Sequence, residues 1–145
     1  MRWFFTVAAL LFAALAQAND VGQIKNLTGT VHVERDGQRL AAKPGMGVRQ
    51  ADVLVTGSDS SVGVTFLDNS LLSLGPSSTL AIDHYSFDST THVGRFDSSL
   101  KRGTLAGVSG RIVKQSPEAM RVRTPSSVMA VRGTDFVVRV GADAQ

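Results

Sequence analysis

Ser61-Val62-Gly63-Val64-Thr65-Phe66-Leu67-Asp68-Asn69-Ser70-Leu71-Leu72-Ser73-Leu74-Gly75-Pro76 is the stretch that decides the fold class. Val62, Val64 and Phe66 alternate with Ser61, Gly63 and Thr65, the period of two that sends successive side chains to opposite faces of a strand. Asp68-Asn69 turns the chain, Leu72 and Leu74 alternate on the return run, and Gly75-Pro76 stops it. A helix would instead place apolar residues at i, i+3, i+4 and i+7. No stretch beyond residue 18 does so over three turns.

The same pattern extends in both directions. Downstream, Leu80 and Ile82 supply another inward pair. Upstream, Asp52-Val53-Leu54-Val55-Thr56 is closed by Gly57-Ser58-Asp59, and Lys43-Pro44-Gly45-Met46-Gly47 reads as a loop. Thr30-Val31-His32-Val33-Glu34-Arg35 and Gln38-Arg39-Leu40-Ala41 flank Asp36-Gly37, a hairpin signal because both central residues of that turn need φ > 0. Residues 83–99 are expected to form a strand plus a long loop. After Gly103 the runs resume at 104–108, at Arg111-Ile112-Val113, at Met120–Thr124, at Val128–Val131 and at Phe136–Val140. Beyond residue 18, Gly, Ser and Thr make up 39 residues and Val 17, a composition of turns and pleated surface. The expectation is all-β: about ten short strands forming a β-sandwich, a roll or a short β-solenoid, with one face of each sheet wet.

The chain of 145 residues fits a single domain. Its first segment sets the compartment. Arg2 precedes thirteen uncharged residues, Trp3–Leu15, and then Ala16-Gln17-Ala18. A basic start, a short apolar run and an A-x-A end read as a secretory signal peptide with cleavage after Ala18. A membrane span needs roughly 20 apolar residues, and this run stops at Gln17, Asn19 and Asp20. The exported chain is expected to be periplasmic, without stable membrane insertion. It contains no cysteine, so disulfides, thiolate metal sites and a lipoprotein anchor are excluded.

Two passages resemble a known family. One is Asp52-Val53-Leu54-Val55-Thr56-Gly57 followed by Ser60–Ser70 and Leu72–Leu80. The other is Val122-Arg123-Thr124-Pro125 followed by Val128-Met129-Ala130-Val131-Arg132-Gly133-Thr134-Asp135-Phe136-Val137-Val138. Together they resemble the FecR-domain family, over roughly Gly29 to Val140. The resemblance implies an extracytoplasmic, all-β, non-catalytic module. In the ferric citrate regulator that gives the family its name, such a domain relays a signal between an outer-membrane receptor and a cytoplasmic sigma factor. That relay also requires a cytoplasmic segment and a transmembrane helix, so sigma-factor control is not carried over. The organisation expected is a signal peptide over 1–18, an N-terminal linker over 19–28, a FecR-like β domain over 29–140 and a C-terminal tail over 141–145.

Most of the matching residues have structural roles to fill. Gly57, Gly75, Gly133 and Asp68-Asn69 suit turns with unusual backbone angles, and Pro125 forces Thr124 into an extended conformation. Arg132 is placed to hold turn carbonyls, to pair with Asp135 or to contact a partner.

Enzyme chemistry finds little support. His32, His84 and His92 are the only histidines, and nothing resembles a nucleophile elbow. Asp83, His84, Asp88 and His92 match no familiar ligand spacing, so His84 and His92 read as solvated loop residues and no metal or cofactor is expected. Ten Asp and two Glu single out no carboxylate pair.

Charge is uneven. Residues 19–100 carry 6 basic and 9 acidic side chains, and residues 101–145 carry 8 and 3. Arg121 and Arg123 share one strand face, and Arg139 is read as an extension of the stripe. With Arg132 they are the candidate partner contacts. Few aromatics accompany them, so nucleic acid is not expected. The function expected is a non-enzymatic periplasmic module for protein interaction, signalling or scaffolding. The alternative is an envelope glycan-binding or structural protein that uses the basic face.

Overall fold

The computed structural model describes residues 20–141. Twelve strands and one helical turn follow in chain order: β1 (Asp20–Thr28), β2 (Val31–Arg35), β3 (Gln38–Ala41), β4 (Gly47–Arg49), β5 (Val53–Thr56), β6 (Ser61–Phe66), β7 (Leu71–Leu74), β8 (Thr79–Phe87), β9 (Gly94–Val108), α1 (Arg111–Gln115), β10 (Met120–Arg123), β11 (Val128–Ala130) and β12 (Asp135–Val140). The fold is all-β, and its strands join into one curled sheet, the roll-like member of the expected set.

Alternation explains most of the elements. β6 buries Val62, Val64 and Phe66, and β7 buries Leu72 and Leu74 on the same side. They pair antiparallel through a turn in which Asn69 has φ 68°. The hairpin between β2 and β3 turns on Asp36 (φ 52°) and Gly37 (φ 75°), as its Asp-Gly signal requires.

β9, 15 residues long, lets the sheet curl. Along one edge it pairs with β8 through residues 94–102 and with β7 through residues 105–108. Its other edge holds β10, which runs parallel to it, at 96–99 and β12 at 103–108. The two stretches meet at Gly103, whose φ of 94° favours glycine. One half then runs β3-β2-β5-β8-β9-β10-β11 and the other β12-β9-β7-β6-β1-β4. Their inner faces enclose one core. Phe66 of one half lies with its ring centroid 4.6 Å from Phe96 and 5.4 Å from Tyr85 of the other.

Three readings need correction. Residues 20–28 are no linker but β1, a strand that pairs with both β6 and β4 and buries Ile24 fully. Register shifts at Asp20/Gly22 and Ile24/Asn26 break its period of two, which hides the strand from a pattern search. Residues 83–99 hold the end of β8 and the start of β9 around a short loop, so His84 stands on a strand. Arg111-Ile112-Val113 is helical, not extended. Ile112 and Val113 are adjacent and both buried, which one turn of helix allows and a strand with one wet face does not.

Asp68 organises that turn from a distance. Its carbonyl accepts the Arg111 N–H at 2.8 Å, and its Oδ2 accepts the Ile112 N–H at 3.3 Å. The fully buried carboxylate also accepts the Ser70 hydroxyl (2.7 Å) and the Tyr85 hydroxyl (2.8 Å). A second buried carboxylate, Asp52, takes a two-pronged bond from Arg35, Nε to Oδ1 at 2.9 Å and Nη2 to Oδ2 at 2.7 Å. It also receives the Arg49 N–H.

Candidate functional site: a basic face on the second half-sheet

The side chains with chemistry to offer gather where β9, β10 and the segment after α1 meet. β10 follows the strict alternation of its sequence: Met120 and Val122 are buried, and Arg121 and Arg123 point outward. Arg121 is in register with Asp97 of β9 and Ala130 of β11, and Arg123 with Ser99 and Val128. Residues opposite each other in a sheet share a face. Arg121, Arg123, Val128 and Ala130 therefore form one outer surface.

Beside this surface lies an open groove of about 810 Å³, lined by Arg95, Asp97, Glu118, Arg121, Arg132 and the Ser116-Pro117 bend. Arg95 and Asp97, two apart on β9, share a face, with Nη2 2.6 Å from Oδ2. Arg132 pairs with Glu118, not with Asp135 as the sequence spacing suggested. Residues 131–134 carry Arg132 to the bend after α1, away from the start of β12. Both members of the Arg132 pair are more than half exposed, so the pair is worth at most about 1 kcal/mol. Asp97 is 5% exposed, and its Oδ1 has no protein hydrogen-bond partner among the described residues. Arg121 and Arg123 make no ion pair among the described residues.

Of the four arginines expected to contact a partner, the groove brings Arg121 and Arg132 together, and Arg123 continues the surface along β10. Arg139 is exposed on β12, opposite Thr104, beyond the bend at Gly103 and in the other half of the sheet, so it does not extend the stripe. Arg95, Asp97 and Glu118 escaped the sequence reading. Arg95-x-Asp97 carries the period-two signal that would have revealed the first two, but the stretch read as loop.

No histidine lines this groove. Among the described residues no three His, Asp or Glu side chains gather as metal ligands, and no helix is long and apolar enough to cross a membrane. His92 sits at φ 61° in the short turn after Asp88, stacked on Phe87. Asp88 Oδ1 accepts the N–H groups of Thr90 and Thr91, which hold its carboxyl below the usual range.

Comparison with curated proteins finds no match, and neither does comparison with solved structures. Comparison with protein families does find one: residues 52–145, from Asp52 just ahead of β5 to the end of the chain, match the family described as FecR protein. The matched segment contains β5 to β12 and every residue of the basic groove, and the chain belongs to the FecR protein family.

Proposed function

We propose that this protein is a non-enzymatic, periplasmic interaction module, exported by a leader cleaved after Ala18, which binds a protein of the cell envelope and serves signalling or scaffolding there. The observation that carries the reading is the pair of exposed guanidiniums of Arg121 and Arg123, without an ion-pair partner among the described residues, on β10 next to the edge strand β11. Family membership supports the class of module.

A second reading, retention of an anionic envelope glycan, is favoured by the three arginines around the open groove. Affinity capture from an envelope extract separates the two. A protein recovered in stoichiometric amount supports the first, and retention of polysaccharide alone supports the second and overturns the first. Sequencing the N-terminus of the periplasmic form should return Asn19, and an uncleaved chain in the membrane fraction overturns the export assignment.

A further inference from the structure

We infer that the free edge of β11 takes up an extended acidic segment of a partner protein as an added strand, with carboxylates two residues apart read by Arg121 and Arg123. The inference rests on the interaction-module reading above and supplies its ligand.

Among the described residues β11 pairs only with β10, so one side of Val128–Ala130 has no neighbouring strand there. Sheet edges are commonly guarded by Lys, Pro or inward-pointing charge. Val128, Met129 and Ala130 carry none of these, and all three are exposed. An extended segment laid along them gains backbone hydrogen bonds and covers Val128, which is 57% exposed.

The charge pattern defines the segment. Strands lie about 4.8 Å apart, which puts an added strand about 10 Å from β10. Between them stand only Ala130, opposite Arg121, and Val128, opposite Arg123. These short side chains leave room for the two guanidiniums to pass over β11 and meet carboxylates leaning the other way. Alternate residues of the added strand face this side, so the acids it offers are at i and i+2. The guanidinium fork matches a carboxylate with two parallel bonds. Arg95 and Arg132 are already matched by Asp97 and Glu118, which leaves the β10 arginines as the unmatched charges of the patch. A polyanionic glycan satisfies the charge but leaves the apolar edge and its backbone unused.

The test uses the purified exported protein and a fluorescent peptide alternating Glu and Thr, followed by anisotropy. Saturable binding is expected. Arg121→Ala with Arg123→Ala should weaken it about tenfold, the combined effect of two partly exposed ion pairs. N-methylation of the peptide backbone should abolish it, because an added strand needs its amides. The proposal is overturned if the N-methylated peptide binds as well as its parent, which is the behaviour of an indiscriminate polyanion site. It is equally overturned if the double variant binds unchanged, or if the peptide does not bind at all. Should the double variant bind the envelope protein held by the wild type with undiminished affinity, the acidic-strand inference falls while the interaction-module reading stands. Recovery of polysaccharide alone removes both.

Discussion

Tyr85 shows how one residue ties distant parts of this fold together. Its hydroxyl donates to Asp68 Oδ1 at 2.8 Å and accepts the Asp68 N–H at 3.0 Å, and its ring is edge-on to Phe96. Burial, then the neighbouring Asp68 charge, raise its pKa well above the ordinary value. Above about pH 10 the unfolded chain therefore gives up a proton that the folded chain keeps. The folded state then binds more protons, and stability falls as pH rises. This is the chain's single tyrosine, so phenolate absorbance reports it alone, and the signal should appear only together with unfolding. Tyr85→Phe should cost about 1–3 kcal/mol in urea titration, because a buried N–H loses its partner, and should remove the tyrosine contribution to the alkaline slope. Arg35→Ala should cost more, about 3–5 kcal/mol, since it strands the buried Asp52 carboxylate. A Tm close to wild type would refute that estimate.

At the scale of elements, the corner where β9 passes from one half of the sheet to the other is the sensitive point. A Cβ at Gly103 would lie 2.5 Å from Ser78 Cα, and the φ of 94° adds strain. Gly103→Ala should therefore destabilise by about 3 kcal/mol or more. Gly57 and Gly75, expected to need unusual angles, do not have positive φ, and the nearest atoms to an added Cβ are 3.4 and 3.5 Å away. Gly57→Ala should stay within about 0.5 kcal/mol of wild type, and comparison of the two midpoints checks both expectations. Elements whose signal is local were legible in sequence: the β2–β3 hairpin, the β6–β7 pair and the alternation of β10. Those shaped by distant contacts were not. β1 is disguised by bulges, and α1 is dictated by Asp68, more than forty residues earlier, acting on β-branched residues that on their own favour a strand. The candidate site followed the same division. Outward arginines on β10 could be read from alternation, but the Arg132–Glu118 pairing depends on how the chain returns after α1.

For the molecule as a whole, β1 is part of the domain although it lies outside the matched family segment. It fills the place between β6 and β4 and brings Ile24 and Val21 to the core. Deleting residues 19–28 should abolish the cooperative thermal transition and yield a chain that binds hydrophobic dyes. Retention of a sharp transition would restore the linker reading. The shared strand has a different consequence, one of timing. β7 and β8 wait for a partner that begins only at Gly94, so a chain delivered N-terminus first presents an open, half-walled sheet until the later segment arrives. On the export route proposed above, its valines and leucines stay uncovered for that interval, and slower delivery of the later segment should let more chains meet one another before they close.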